Sequence, residues 1–310
     1  MQTLAPSFTP GNKTCIIIAG ATAVGKTNFA IQLAHQLRTE IISADSRQCF
    51  KEMHIGVAKP SAEELQAVPH HFIGTHSIHD NMNAGIFEQY AVEKVKAVFV
   101  QHDTVVMVGG TGLYIKAFCE GIDEMPLIDP SLREEITTSF KAKGLEWLQQ
   151  QVKDTDPVYY ANGEIQNPQR LMRALEIKLS SGQSITAFQT QQKKPRDFNI
   201  VQIGLELPRE QLYDQINKRV DMMMKAGLLA EAMALLPFKT LNALQTVGYK
   251  ELFSYLEGTV SIDEAVEQIK INTRHYAKRQ MTWFKKHPEW HWIHPLHPVS
   301  QLPEGILWGK

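Results

Sequence analysis

The chain has 310 residues, of which 43% are hydrophobic and 21% are charged, and its formal net charge is −1. This composition predicts a globular protein of one large or two smaller domains, and it confines any nucleic-acid surface to a local patch. No apolar run is long enough to span a membrane. The three cysteines, Cys15, Cys49 and Cys119, lie far apart, which predicts reduced thiols in a cytoplasmic protein rather than a disulfide framework or a zinc site. Residues 1–13 lack the features of a signal peptide and predict a frayed tail.

A phosphate-binding loop is the first predicted feature along the chain. An apolar strand at 15–19 precedes a G-x-x-x-x-G-K-T segment, and a helix with apolar residues four apart follows at 28–37. In this context backbone N–H groups and the helix N-terminus are expected to bind a di- or triphosphate. Lys26 would add a positive charge, and the Thr27 hydroxyl would provide a ligand for Mg²⁺. The loop comprises Gly20, Ala21, Thr22, Ala23, Val24, Gly25, Lys26 and Thr27.

An isolated acid follows the next strand, where residues 40–44 lead into Asp45. Nucleotide hydrolases usually carry a Mg²⁺-holding acid after another strand, but the strand predicted at 104–108 ends in a glycine-rich segment without one. This difference argues against a standard ATPase. Because parallel strands end at the same edge of a sheet, we expect Asp45 beside the phosphate loop. There it could bind Mg²⁺, act as a general base or cap the following helix, and the pattern does not choose among these roles.

The middle of the chain predicts a helical insertion. Residues 122–130 are rich in turn formers, and the pattern beyond them is helical. Asn167 and Pro168 predict the start of one helix and Gly182 its end, whereas 199–207 predicts a strand that rejoins the sheet. We therefore expect an α/β fold with a P-loop NTPase-like parallel sheet flanked by helices, and a small all-helical insertion domain. The core would comprise 1–121 and 195–310, and the insertion 122–194.

Several arginines permit two interpretations. Arg170 and Arg173 are three residues apart and share a helical face, which suits either RNA contact or a solvated face on which Arg173 pairs with Glu176. Arg219 lies off the buried stripe of its helix and, judged from the pattern alone, is a surface residue.

The helix predicted at 262–286 carries four cations on one shoulder: Lys270, Arg274, Lys278 and Lys285. No acid occurs from 268 to 288, so these cations are expected to lack acidic partners and to suit a phosphate backbone. The alternative is a core helix whose charged rim is merely solvated.

Eight segments occur in an order that resembles one family, the bacterial tRNA dimethylallyltransferases, over about residues 14–293. They are Gly20–Thr27, Asp45–Gln48, Gly56–Pro60, Pro69–His71, Val108–Tyr114, Asn167–Arg170, Val247–Tyr249 and Thr273–Gln280.

The resemblance implies transfer of a dimethylallyl group from dimethylallyl diphosphate to the exocyclic nitrogen of the tRNA adenosine immediately 3′ of the anticodon. It further implies that the loop and Arg219 bind diphosphate, that Mg²⁺ sits at Thr27, that Asp45 removes the proton and that Thr111 orients this region. The insertion would meet the anticodon stem-loop. The tRNA contacts implied by the family are Asp45, Ser46, Arg47, Gln48, Thr111, Arg133, Gln169, Arg170, Arg173, Gly248, Tyr249, Lys250, Arg274, Lys278, Arg279 and Gln280.

Two departures from the commonest family loop are Ala21, in place of proline, and Val24, in place of serine. Neither removes a phosphate-binding N–H, but Val24 is expected to reshape the prenyl pocket slightly. Other classes share the loop: a small-molecule kinase would use ATP, and an adenylate isopentenyltransferase would prenylate a free nucleotide. An RNA-binding module without catalysis would leave Asp45 and the loop unexplained. We expect a monomer, because no long heptad or exposed apolar stripe requires a partner.

Overall fold

The computed structural model describes residues 13–190 and 192–302. They form two compact units, one containing the chain up to Cys119 and from Pro195, the other Glu120–Lys194. The predicted tail falls almost wholly on residues 1–12, outside the described residues. No helix in the described ranges has the length and apolar character needed to cross a bilayer.

The first unit is built on a parallel sheet of six strands in the order β3-β2-β4-β1-β5-β6. The strands are β1 Thr14–Gly20, β2 Ile41–Ser43, β3 His70–His71, β4 Thr104–Gly109, β5 Asn199–Leu205 and β6 His291–Ile293. The sheet confirms the predicted α/β class. The central strands β1 and β4 are buried along their whole length, which explains their unbroken apolar sequences.

Helices cover the sheet and extend beyond it. Those of the first unit are α1 Lys26–Leu37, α2 Ala62–Ala67, α3 Ala84–Val98, α4 Gly112–Glu120, α9 Arg209–Lys225, α10 Leu228–Leu235, α11 Tyr249–Leu256 and α12 Ile262–Phe284. The second unit has α5 Pro130–Thr155, α6 Pro157–Asn162, α7 Pro168–Ser181 and α8 Ile185–Phe188. Short 3₁₀ turns occur at Leu236–Phe238, Asn242–Leu244 and Val299–Gln301.

The second unit is entirely helical. Helix α5 breaks at Gly144, whose φ of 78° lies in the left-handed region that favours glycine. Asn167 caps α7 by accepting from the N–H groups of Gln169 and Arg170, and Gly182 ends it with φ 74°. Leu148 and Leu171 are completely buried between the helices. The helix ends are therefore where local capping chemistry predicts them.

Candidate active site

The phosphate loop has a backbone that suits an anion. Gly20 adopts φ 150° and Gly25 φ 100°, and a Cβ on Gly20 would lie 2.5 Å from the Leu205 carbonyl oxygen. Ala23 is also left-handed at φ 65°, an uncommon conformation for a residue with a side chain. Within the described chain, the N–H groups of Ala23 and Gly25 have no hydrogen-bond partner. The loop therefore presents donors at the start of α1, as predicted for a phosphate site.

The two unusual loop residues belong to the core. Ala21 is fully buried and Val24 is 1% exposed, and both pack in the apolar cluster beneath the loop. The Val24 side chain therefore packs in the core and does not line the cavity beside the Asp45 turn, and its effect on a prenyl pocket stays a prediction.

The charged side chains of Lys26, Asp45 and Arg219 interact electrostatically at the loop. Desolvation by burial, followed by the positive charge of Arg219, lowers the pKa of Lys26 to about 7, and the negative charge of Asp45 opposes this shift. The Lys26 ammonium donates to the Ala21 carbonyl at 2.7 Å. Burial also lowers the pKa of the Arg219 guanidinium, again opposed by Asp45. Burial disfavours the charged forms of Lys26 and Arg219, so a bound anion would stabilise those charged forms.

Asp45 begins a tight turn at the end of β2. Its Oδ1 accepts from the N–H groups of Arg47 at 2.8 Å and Gln48 at 3.3 Å. Oδ2 makes no hydrogen bond to any described residue. Thr111 supports the same turn, since its Oγ1 accepts from the Ser46 N–H at 3.0 Å. One carboxylate oxygen thus closes a turn instead of capping a helix, since turn residues follow Asp45 directly, and the other oxygen remains available for chemistry.

A cavity of about 460 Å³ opens beside this turn. Among the sequence-predicted site residues, those that line it are Thr22, Asp45, Ser46, Arg47, Arg219, Gly248, Lys250 and Arg279. Lys26, Thr27 and Thr111 do not line it. The adjoining wall includes Gly56, Val57 and Ala58 from the loop after β2. The cavity therefore joins the phosphate loop, through Thr22, to the general-base candidate and to Arg219.

Tyr276 lines the cavity and was not among the sequence-predicted site residues. Desolvation and the negative charge of Asp45 raise the pKa of its hydroxyl, so this group remains a protonated donor at neutral pH. Tyr276 lies three residues before Arg279, so the two side chains share a face of the helix. This spacing was the sequence signal that could have predicted Tyr276 as a site residue.

The expectation that the cations of the C-terminal helix lack acidic partners is wrong for three of the four. Lys270 pairs with Asp221 at 2.7 Å, Lys285 with Glu206 at 2.7 Å, and Arg274 with Glu267 at 3.2 Å. Arg274 also donates to the Asn217 side chain at 2.8 Å, which ties α12 to α9. The partners lie on other elements or earlier on the helix, outside the acid-free stretch. Lys278 is exposed and has no such ion pair among the described residues.

Three residues that the resemblance assigned to tRNA use their polar groups inside the protein. Tyr249 is fully buried and donates to Glu231 at 2.6 Å. Gln48 donates to the carbonyls of Val57 and Ala58. Gln280 is 7% exposed, and both ends of its amide are bonded within the protein. Burial removes the side chains of Tyr249 and Gln280 from the surface, whereas Gln48 is half-buried and its contact with RNA stays a prediction.

The second unit holds four of the predicted RNA contacts. Arg133 donates twice to the buried Glu176, at 3.1 and 2.9 Å, and Arg173 joins the same carboxylate at 3.2 Å. The pairing of Arg173 with Glu176, considered from the sequence, is therefore present. Arg170 lies 3.8 Å from Glu164 on an exposed surface, and Gln169 is exposed beside it.

Among the described residues, no group of three or more His, Cys, Asp or Glu side chains is arranged to hold a metal ion. The oxygen donors that would hold Mg²⁺ are the Thr27 hydroxyl at the start of α1 and the Asp45 carboxylate after β2. Both are hard oxygen ligands of the kind Mg²⁺ prefers, and Mg²⁺ commonly completes its shell with phosphate oxygens and water.

Comparison with known proteins supplies independent information. The family model described as IPP transferase matches residues 48–287. A tRNA dimethylallyltransferase of Christiangramia forsetii is 50% identical over 278 residues, covering 90% of this chain and 92% of the relative. One from Flavobacterium johnsoniae is 47% identical over 287 residues, covering 91% and 93%. The crystal structure of the full-length tRNA isopentenylpyrophosphate transferase from Bacillus halodurans superposes with a TM-score of 0.67 at 35% identity, covering 91% of this chain and 90% of that one.

Proposed function

Because this chain belongs to the IPP transferase family, we propose that it transfers a dimethylallyl group from dimethylallyl diphosphate to N6 of the tRNA adenosine immediately 3′ of the anticodon. The observation that carries the proposal is the arrangement of the one cavity that Thr22, Asp45 and Arg219 share. Thr22 of the phosphate loop, the cation Arg219 and the carboxylate Asp45 line it, so the cavity brings together the kinds of group that such a transfer needs.

The leaving group is diphosphate, which gains negative charge as its C–O bond breaks. The N–H groups of Ala23 and Gly25, with Lys26 and Arg219, neutralise this charge as it develops. Arginine suits the role because its planar guanidinium can bind two oxygens at once. The Thr27 hydroxyl would hold Mg²⁺ against the diphosphate, and the ion would supply further charge neutralisation to the departing oxygens.

The nucleophile is an exocyclic amine whose lone pair is delocalised into the adenine ring. N6 attacks C1 of the dimethylallyl group, the carbon bonded to the diphosphate oxygen. A C–N bond forms, the C–O bond breaks and the amine loses one proton. Asp45 accepts that proton through Oδ2, while Oδ1 keeps the turn in place. The Tyr276 hydroxyl stands close enough to Asp45 for the two to influence each other electrostatically, and we assign it to orienting the base.

RNA recognition would use the exposed cations around the cavity. Lys250 and Arg279 line it, and Lys278 is exposed on the same helix as Arg279. Phosphate contacts of this kind hold the RNA in register, and the target base leaves the stack of its loop to enter the cavity. In the all-helical unit, Gln169 and Arg170 are the exposed candidates for a second contact with the anticodon stem-loop. We further propose that the enzyme is a cytoplasmic monomer.

A kinase or an adenylate isopentenyltransferase would use the same loop with different partners. Incubating the protein with dimethylallyl diphosphate and either unmodified tRNA or free AMP, and measuring pyrophosphate release, separates these possibilities. We expect pyrophosphate release when tRNA is the acceptor and none when AMP is the acceptor. Release with AMP alone would favour the nucleotide prenyltransferase, and phosphoryl transfer from ATP in a parallel reaction would favour the kinase.

A further inference from the structure

A single side-chain amide connects the C-terminal helix to the phosphate loop. Gln280 lies on α12, and its Oε1 accepts from the Thr22 N–H at 2.8 Å. Its Nε2 donates to the Gly110 carbonyl at 2.9 Å, in a buried hydrogen bond. Thr22 and Gly110 follow the neighbouring strands β1 and β4. The amide therefore bridges the loops at the carboxyl ends of the two central strands.

The glycines after β4 make room for this helix. A Cβ on Gly110 would overlap the Gln280 amide, and a Cβ on Gly112 would overlap the Trp283 ring. A glycine-rich segment beside a phosphate loop is easily taken for a second phosphate cradle. In this structure its glycines instead allow α12 to approach closely enough for Gln280 to reach both loops.

An amide satisfies both partners at once, since it carries a donor and an acceptor. Thr22 offers a donor and Gly110 an acceptor, so the bridging group has to accept at one end and donate at the other. A buried donor left without its partner is costly, so the amide constrains the loop conformation. Gln280 occupies the Thr22 N–H, whereas the loop N–H groups of Ala23, Gly25, Lys26 and Thr27 have no protein partners among the described residues.

We propose that Gln280 is a positioning residue for the diphosphate, one that holds the phosphate loop in its anion-binding conformation from the helix that also carries Tyr276, Lys278 and Arg279. This inference rests on the proposed function for the identity of the ligand. Gln280 is thereby assigned to the diphosphate site, whereas the family resemblance assigned it to the RNA surface.

The test is direct binding of pyrophosphate to the whole protein by calorimetry, which does not depend on prenyl transfer. Gln280→Met keeps the volume of the side chain but loses both hydrogen bonds. We expect it to weaken pyrophosphate binding about tenfold or more, and to raise the KM for dimethylallyl diphosphate similarly, since a buried donor and a buried acceptor lose their partners. Affinity for an anticodon stem-loop should stay within about twofold, because Gln280 is not at the RNA surface.

The matched control is Gln268→Met on the same helix, because Gln268 is exposed and its side chain donates to Asn272 alone among the described residues. It should leave pyrophosphate binding unchanged. Wild-type pyrophosphate affinity in a folded Gln280→Met variant would overturn the proposal, and so would an equal loss of RNA and pyrophosphate affinity. A wild-type protein that binds pyrophosphate but modifies no tRNA would instead contradict the proposed function.

Gln280→Glu provides a second measurement if the methionine variant does not fold. A neutral carboxyl group can accept from Thr22 and donate to Gly110, whereas a carboxylate can only accept. The affinity ratio of wild type to Gln280→Glu should therefore fall towards one as the pH is lowered from about 8 to about 6. A ratio that does not change between these pH values would contradict the bridging role.

Discussion

Thr111 Oγ1 accepts a hydrogen bond from the Ser46 backbone N–H at 3.0 Å, and this bond ties the turn after β2 to the loop after β4. The Thr111 hydroxyl also donates to Ser46 Oγ at 3.3 Å. Because Asp45 directly precedes Ser46, the position of the carboxylate depends on a residue in the loop after a neighbouring strand. The glycine-rich segment after β4 therefore contributes to the site through its threonine as well as through its glycines.

The role of this bond can be tested by replacing Thr111 with valine, which keeps its shape and loses its hydroxyl. We expect kcat to fall roughly tenfold, because a carboxylate displaced by a fraction of an ångström is a poorer base. Thr111→Ser should retain most of the activity. Steady-state kinetics with saturating tRNA and donor provide the measurement, and wild-type kcat in Thr111→Val would show that the bond has no catalytic consequence.

Asp45→Asn separates the two functions of the carboxylate. The amide oxygen can still accept from Arg47 and Gln48, so the turn should persist, but the side chain can no longer take up the proton. We expect kcat to fall by about 10²–10⁴, the range typical of a lost general base. Stem-loop affinity should be close to that of the wild type. A variant that turned over normally would exclude Asp45 as the base.

The lowered pKa of Lys26, about 7, predicts that pyrophosphate binding depends on pH. The anion favours the charged ammonium and so raises this pKa in the complex. Below the free-state pKa, Lys26 is already charged and binding takes up no proton. Above it, binding requires protonation, so affinity should fall by up to about tenfold per pH unit until the pKa of the complex is reached.

Lys26→Arg is the control for that experiment, since arginine stays charged throughout. Pyrophosphate itself titrates identically with both proteins, so the ratio of their dissociation constants isolates Lys26. We expect calorimetry to show this ratio changing between about pH 6 and about pH 8.5. A constant ratio would mean that Lys26 is not close to the bound anion.

The features of the site that can be predicted from the sequence are those that depend on residues close together in the chain. The phosphate loop, the helix start at Asn167 and the helix end at Gly182 were predictable, because each depends on a few consecutive residues. The pairing of Lys270 with Asp221 was not predictable, because the acid lies on another helix. The burial of Val24, likewise, became visible only when the sheet beneath the loop was in place.

The difference between local and long-range contacts also explains why Gln280 was assigned to RNA from the sequence. An amide such as that of Gln280 looks suited to a base edge until the fold brings the Gly110 carbonyl and the Thr22 N–H to its two ends. The fold class was recoverable because apolar strands alternate with helices along the chain. Which polar side chains face inward depends on contacts between segments far apart in sequence.

Lys278 provides the test of the RNA surface. Replacing it with alanine should reduce the magnitude of the log–log salt slope of stem-loop binding by about 0.7–0.9, because one fewer phosphate contact releases fewer counterions. Lys285→Ala is the matched control, since Lys285 already pairs with Glu206 and should change the slope little. Identical slopes for wild type and Lys278→Ala would remove this lysine from the interface.

The most direct test of the central claim is mass spectrometry of tRNA after incubation with the protein and dimethylallyl diphosphate, with digestion to locate the modified nucleoside. The account predicts a dimethylallyl group on the adenosine immediately 3′ of the anticodon, formed by the wild type and nearly absent with Asp45→Asn. Unmodified tRNA after incubation with a folded wild-type protein, or modification at another position, would contradict it.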